Sequence, residues 1–588
     1  MQFNIQLSMK RIALLSIVLL LTQGLVAQKS KTETTKAKAR QYSYELKYRA
    51  YTMGVEKQDT SYSIVRFSNE RTTKKDLMDF GGQKLIRGLA TETYFVDYEK
   101  SEYALQLEYE DGEVFFTKTS FPKMDMTKKG EEKINGYKCE KYTTSINSNS
   151  IEIWVTKDLG IDATPMAQFS SLGGVMVKYV RNGSSVYELA QVKKEKKGVR
   201  YENMTPSPNA KELTYRELDN VSKEKMIITT KIFDKARVHW GDTTKHLGDM
   251  QLDSLVHFAG GTIVLKKVNI EALPSHYQLF AELTTQSAGD AYDRTGSVFV
   301  IPQDKEKTFY DALSKGIDQV PFFTSKKGSK YQGMTLTEDY TPVVELIRFF
   351  TPFGVGHFND RLKIDGLQWE EEVYYKQEIT DLTKVLRGEV LIGVFIGNYD
   401  GGGHLVSLDI KAYPGGYSGE VDDLSKQFFL PLFNTCNVME MAGQTYPHFF
   451  DTDSLCITFE LPQGVKNLRL RYITTGHGGW GGGDELNPKE NTILLDNERI
   501  YSFTPWREDC GRYREWNPVS GNFWNGMSSS DLSRSGWCPG TATQAVYVNL
   551  GDLQAGKHTL KVAIPQGKAE GGSFSAWSVS GVLIGEKE

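Results

Sequence analysis

Leu468-Arg-Leu-Arg-Tyr-Ile473 runs directly into Thr474-Thr-Gly-His-Gly-Gly-Trp-Gly-Gly-Gly-Asp-Glu-Leu-Asn487. Apolar and polar residues alternate through the first segment, which is the period of a strand with one buried face. The second segment puts six glycines in one loop and closes it on adjacent carboxylates, Asp484 and Glu485. Glycine loses more freedom on ordering than any other residue. A loop this rich in it either serves positive φ angles and close backbone approach to a ligand, or is an undemanding surface loop.

The same alternation recurs along the chain. Tyr42-Ser-Tyr-Glu-Leu-Lys-Tyr48, Tyr103-Ala-Leu-Gln-Leu-Glu-Tyr109 and Ser150-Ile-Glu-Ile-Trp-Val155 read as half-buried strands. Thr262-Ile-Val-Leu265, Gly296-Ser-Val-Phe-Val-Ile-Pro302, Glu389-Val-Leu-Ile-Gly-Val-Phe395, Leu560-Lys-Val-Ala-Ile564 and Ala576-Trp-Ser-Val-Ser580 are rich in β-branched and aromatic residues. Helical periods are few, and one short helix is expected over 304–316. The class is all-β, with a curved antiparallel sheet domain followed by two jelly-roll sandwiches.

At 588 residues the chain exceeds one core. Lys10-Arg11 precede an apolar run over 12–21, and Leu25-Val-Ala-Gln28 follows, the pattern of a signal peptide at 1–27. The run is too short to span a bilayer, and no cysteine follows the expected cleavage point to carry a lipid. Residues 28–41 read as a polar linker and 42–205 as the sheet domain. A second linker, 206–225, carries Pro206, Pro208 and many charges. Jelly rolls are expected at 226–414 and 415–588, divided where Tyr413-Pro-Gly-Gly-Tyr-Ser418 clusters turn residues. A secreted or periplasmic chain permits disulfides among its five cysteines. Cys510 with Cys538 is the first pairing expected, Cys436 with Cys456 the second, and Cys139 reads as a small buried hydrophobe.

A formal charge of -4 leaves no global basic surface for nucleic acid. The glycine loop spells Gly476-x-Gly478-x-x-Gly481, yet Asp484, Glu485 and Pro488 stand where a dinucleotide site needs a helix N-terminus. His477, Asp484 and Glu485 match no zinc spacing, so no metal and no cofactor are expected, and His477 is assigned a stacking or hydrogen-bonding role. In the middle domain, Gly289-Asp-Ala-Tyr-Asp-Arg294 sets two carboxylates and an arginine at a strand entrance. This is either a site, with the arginine holding one carboxylate ionised, or a solvated turn. Trp506, Tyr513, Trp516, Phe523, Trp524 and Trp537 crowd around Arg507 and Arg534, suiting sugar faces or a stapled core.

From about Met226 onward the chain resembles the peptide-N-glycosidase F family. Lys231-Ile-Phe-Asp-Lys235 with Gly241-Asp242 resembles the start of its first domain, and Asp290-Ala-Tyr-Asp-Arg294 resembles its Asp-Glu-Trp-Asp-Arg strand entrance. Arg348-Phe-Phe-Thr-Pro352 resembles its Arg-Phe-Ile-Thr-Pro segment, and Asp531-Leu-Ser-Arg-Ser-Gly-Trp-Cys-Pro-Gly540 its Asp-Arg-Ala-Gly-Trp-Cys-Pro-Gly. The resemblance implies two adjacent eight-stranded jelly rolls with a site in the groove between them. The sheet domain in front resembles the extra N-terminal domain of longer members.

The implied activity is hydrolysis of the amide between Asn and the first GlcNAc of N-glycoproteins or N-glycopeptides, releasing a glycosylamine and leaving Asp. Asp293 matches the primary catalytic aspartate, Arg294 the arginine after it, and Glu485 the second acidic residue. Arg534 and Trp537 match a substrate-groove pair, and Cys510 and Cys538 one family disulfide. Tyr292, Tyr399, Trp480 and His477 are the further substrate-binding candidates, and a monomer is expected. Two places depart from the family. Its third acidic residue falls at Gly397, with Asp400 a nearby replacement candidate, and the disulfide bracketing its second acidic residue is replaced by glycines around Glu485. The alternative expectation is therefore an N-glycan-binding protein without catalysis.

Overall fold

The computed structural model describes residues 41–53, 61–77, 88–244, 246, 248–273, 277–354, 370–415, 424–436, 438, 448–451, 453–478, 483–517, 529–568 and 575–588. The chain divides into two compact units, Met1–Met226 and Ile227–Glu588.

The first unit is built on one sheet, with twelve strands among the described residues. In strand Tyr44–Thr52, Tyr44, Leu46 and Tyr48 are buried while Lys47 and Arg49 face outward, as the period of two requires. The pairings are antiparallel except at one edge, where Lys211–Glu212 lies parallel to Val114–Ser120. That edge strand and helix Tyr215–Met226 occupy the segment expected as a linker over 206–225. The signal was local: Thr214 and Glu217 form a reciprocal cap, with Glu217 Oε2 accepting from Thr214 N at 2.8 Å and Thr214 Oγ1 accepting from Glu217 N at 3.3 Å. The helix then buries Leu218 against Leu107 and Tyr109.

The second unit holds two sandwiches. Ile228–Val238, His404–Pro414, Tyr277–Ser287 and Val373–Glu378 form one sheet of the first, in that order; Ile263–Ile270, Gly388–Ile396, Thr295–Ile301 and Val344–Phe350 form the other. In the second sandwich the sheets are Gln427–Asn434, Ala576–Lys587, Val465–His477, Val546–Leu553 and Leu455–Leu461, Gly556–Ala563, Asn491–Leu495, Glu498–Phe503. Numbered along the chain, the strands of each sandwich run 1-8-3-6 and 2-7-4-5, the jelly-roll order. The first sandwich adds Leu255–Phe258 at one edge and takes Ala542–Thr543 from the second half at the other. The short helix expected over 304–316 occupies Phe309–Lys315, opened by a Thr308–Asp311 capping box and closed by Gly316 at φ +116°.

Strand Val344–Phe350 is buried at every position, because its sheet faces its own core on one side and the second sandwich on the other. Two of its residues are charged. Glu345 accepts from Arg348 Nε and Nη2 at 2.6 and 2.8 Å, from Ser297 Oγ at 2.8 Å and from Ser580 Oγ at 2.8 Å. Arg348 Nη1 also donates to Thr475 Oγ1 and the Ser578 carbonyl. Arg471, itself buried, donates to the carbonyls of Glu345 and Leu346. Burial alone pushes the Glu345 carboxyl up, but Arg348 and the serines outweigh it and hold it below the usual carboxylate range.

Among the cysteines, Cys510 and Cys538 are bonded. The second expected pair is not formed: Cys436 is buried and Cys456 exposed, and neither is in a disulfide. Cys436 packs in the core beside Phe395 and Val438, while Cys456 is at an outward position of strand Leu455–Leu461, so the two side chains have different surroundings. Cys139 is buried, as expected.

Removing one partner of a fully buried ion pair strands the other. Arg348→Ala is expected to cost ~3–5 kcal/mol in denaturant unfolding, and a Glu345→Leu, Arg348→Met double replacement less than that. A loss below about 1 kcal/mol for the single change would mean that the pair is not desolvated.

Candidate active site

Asp293 lies in the turn 289–294 that enters strand Thr295–Ile301. Its neighbours are clamped. Asp290 is buried and accepts from Arg294 Nε at 2.8 Å, Arg294 Nη2 at 3.1 Å and Tyr292 N at 3.2 Å, and meets His404 Nε2 at 3.3 Å. Thr351 closes the other side: its hydroxyl accepts from Arg294 N and donates to the Tyr292 carbonyl, and its N–H donates to the Arg294 carbonyl. Burial pushes the Asp290 carboxyl up, but His404 and Arg294 outweigh it and hold it far below the usual range. Arg294 is thus engaged by Asp290 and lies against the rings of Tyr292, at 5.0 Å, and Tyr399, at 5.9 Å. Those two tyrosines are 60% and 57% exposed.

The glycine loop meets this turn from the second sandwich. Gly476 is required by close approach, because a Cβ there would sit 2.8 Å from both Ser535 Cβ and the Trp577 ring. Gly476 N donates to the Ser535 carbonyl, Ser535 N to the Glu485 carbonyl, and Ser535 Oγ to the Asp484 carbonyl at 2.6 Å. The adjacent carboxylates then part. Asp484 turns inward and accepts from Trp577 Nε1 at 2.7 Å and from Gly567 N at 3.0 Å. Glu485 turns outward and accepts from Arg534 Nε at 3.0 Å.

Arg534 joins the two halves of the site. Its Nη1 donates to the carbonyls of Ser529 and Leu532, its guanidinium lies 5.0 Å from the Trp537 ring centre, and its Nη2 is 3.8 Å from Asp293 Oδ2. Asp293 keeps 16% of its side chain exposed. Burial pushes its carboxyl up to about 7; Arg534 pulls it back only in part, and Glu485 adds to the rise. Below this lies His477, whose Nε2 is 2.9 Å from Thr475 Oγ1. Arg348 donates to that same oxygen, so Thr475 links the two side chains. Burial, with Arg348 adding, pulls His477 down to about 3, so it is a neutral ring.

The structure therefore brings Asp293, Glu485 and Arg534 together, with Arg294, Tyr292 and Tyr399 beside the turn and His477 beneath. Trp537 is different from expectation: it is 3% exposed, stacked 4.1 Å from Phe350 and bonded through Nε1 to the Gly476 carbonyl, so it supports Arg534 rather than offering an open face. Asp400 accepts the Gly402 and Gly403 amides and shapes its own turn. Trp480 lies outside the described residues. Sequence reading missed Thr351, Thr475 and Ser535, polar residues on or beside strands whose role comes from partners more than fifty residues away.

Residues 229–412 and 445–584 match family models described as "Peptide-N-glycosidase F, N terminal" and "Peptide-N-glycosidase F, C terminal", and 27–217 match "N-glycanase peptide, N-terminal domain". Fold and site thus define a paired jelly-roll chain of the N-glycanase type. Two crystal forms of PNGF-II are each 42% identical to it over 93% of this chain; they cover 100% and 98% of the PNGF-II chain, with TM-scores of 0.81 and 0.76. This chain belongs to the peptide-N-glycosidase F family. PNGase F, a glycosylasparaginase from Flavobacterium meningosepticum, is 16% identical over 61% of this chain and 96% of its own, with a TM-score of 0.40, too distant to carry residue roles. Among curated proteins none matches.

The raised Asp293 carboxyl has a consequence for stability. The folded chain holds that proton more tightly than the unfolded one, so the stability it confers is full below about pH 4 and is lost as pH rises to about 7. Asp293→Asn is expected to leave stability unchanged near pH 4 and raise it by up to ~4 kcal/mol at pH 8, read by denaturant titration at both values. An equal effect at the two pH values would contradict the raised pKa. Asp484→Ala, which strands the buried Trp577 donor, is expected to cost ~2–3 kcal/mol, and Glu485→Gln under about 1 kcal/mol.

Proposed function

We propose that this chain is an amidase that hydrolyses the linkage between Asn and the first GlcNAc of N-glycoproteins or N-glycopeptides, releasing a glycosylamine and leaving Asp. The observation that carries the reading is the shared Arg534: one guanidinium 3.0 Å from Glu485 and 3.8 Å from Asp293, with Asp293 pushed up to about 7. A carboxyl poised there is present in both forms near neutrality. It can take a proton from the water that attacks the amide carbon and return one to the departing nitrogen. Water supplies the new C–O bond, the C–N bond breaks, and the nitrogen leaves with the glycan. Arg534 supplies fixed positive charge beside the oxygen that becomes negative in the tetrahedral intermediate, and Glu485 holds that guanidinium in place. Asp290 performs the same service for Arg294, which with Tyr292 and Tyr399 gives a sugar a charged and aromatic surface. In this reading residues 1–27 are removed on export, and the Cys510–Cys538 bond is compatible with an oxidising compartment.

The test is incubation of the purified protein with a denatured N-glycoprotein and detection of free glycan. Asp293→Asn is expected to lower the rate at least about a hundredfold, the usual contribution of a positioned acid–base group. Activity is expected to fall as pH drops below about 7, where the carboxyl that must take the proton already holds one, and release unchanged by Asp293→Asn would reject the assignment.

One observation favours a second reading, an N-glycan-binding protein without catalysis. Gly397 has no carboxylate, and Asp400 is committed to the Gly402 and Gly403 amides. Heat of glycan binding with no product, retained in Asp293→Asn and Glu485→Gln, would favour it.

A further inference from the structure

A second concave site lies on the seam of the unit Ile227–Glu588, beside the carboxylate cluster but with its own lining: its wall residue Arg507 pairs through the backbone with Arg534. It is a cavity of about 550 Å³, within the size range of small-ligand sites. Its walls are Tyr374 and Lys376 from strand Val373–Glu378 of the first sandwich, and Trp506, Arg507, Tyr513 and Trp516 from the second. Asp293, Glu485 and Arg534 do not line it. The segment after Arg534 separates the two places: Trp537 packs towards the carboxylate cluster, while the backbone at Gly536 lines the cavity. Gly536 has φ +84°, and a Cβ there would come within 2.6 Å of the Thr474 carbonyl, so this lining requires glycine.

The charges in this cavity are already matched. Arg507 is held by Asp509 in a two-point pair, Nε to Oδ1 at 2.9 Å and Nη2 to Oδ2 at 2.7 Å, and spends Nη1 on Thr541 Oγ1. Lys376 is 2.8 Å from Glu282. An anionic ligand would have to break these pairs, which disfavours a phosphate or a carboxylate. What the walls offer instead is ring surface. Tyr374 is exposed, Trp506 is half-buried, and Tyr513 and Trp516 stack at 5.7 Å, fixing the wall behind them. Thr504 and Gln544, both exposed, add hydrogen-bonding groups at the rim. Aromatic faces beside polar neutral groups match one chemistry best: a neutral sugar, whose C–H face lies on a ring while its hydroxyls reach the rim.

We propose that this cavity is a second saccharide site, which holds a neutral oligosaccharide by stacking on Tyr374 and Trp506 and does not cleave it. The site needs no catalysis at Asp293. The experiment titrates N,N'-diacetylchitobiose into the full-length chain by calorimetry, for the wild type, Trp506→Ala, Trp506→Phe, Tyr374→Ala and Glu485→Gln. The expected result is a binding component weakened about tenfold by Trp506→Ala and by Tyr374→Ala, kept by Trp506→Phe and unmoved by Glu485→Gln. Tyr374 is exposed and sits on a different strand, so its variant reports on the cavity even where Trp506→Ala disturbs the fold. No binding by the wild type overturns the proposal, as does binding that both alanine variants leave intact or that Glu485→Gln alone abolishes. Glycan release plays no part in this readout, so failure of the amidase reading would be seen separately.

Discussion

The two sandwiches are joined through a buried ion pair, Glu345 with Arg348, in which every oxygen of the carboxylate is used. Desolvating two charges is repaid only when the pair is close and its remaining donors and acceptors are satisfied. Here the satisfaction comes from both halves: Ser297 on one side, Thr475, Ser578 and Ser580 on the other, and Arg471 on the strand's own carbonyls. The network therefore sets the register of strand Val465–His477 against the first sandwich. Thr475 bonds Arg348 and His477 at once, so the same contacts that join the sandwiches fix the entrance of the loop that ends on Glu485.

Pairs of like residues close in sequence are driven apart by their surroundings. Asp290 and Asp293 are three residues apart; the first is held by Arg294, the Tyr292 amide and His404 and stays ionised, while the second is buried with a carboxylate nearby and an arginine only at 3.8 Å. Asp484 and Glu485 are adjacent, yet one is bonded to an indole in the core and the other to a guanidinium at the site. In each pair one carboxylate builds the turn or loop, and the other faces Arg534.

Much was legible in the chain itself. Alternation marked the strands because a sheet with one dry face demands it, and the Asp290–Arg294 and Asp531–Gly540 segments carried the family resemblance. The helix Tyr215–Met226 was equally written in Thr214 and Glu217, but Pro206 and Pro208 and the surrounding charge masked it. The turn 289–294 read locally as either a site in which arginine holds a carboxylate ionised or a solvated turn, and the sequence did not say which carboxylate the arginine takes; it is Asp290.

The sequence by itself determined the all-β class, the cysteine pair 510–538 as the first choice, and the residue types available to the site. Only the tertiary structure decided which carboxylate faces which partner, that Trp537 is buried behind Arg534, and that Asp400 serves a turn. The physical reason is the range of the forces. Strand period and helix caps are settled within a few residues, whereas a loop side chain takes its direction from hydrogen bonds to strands far along the chain, such as those of Ser535 to Asp484 and Arg348 to Thr475.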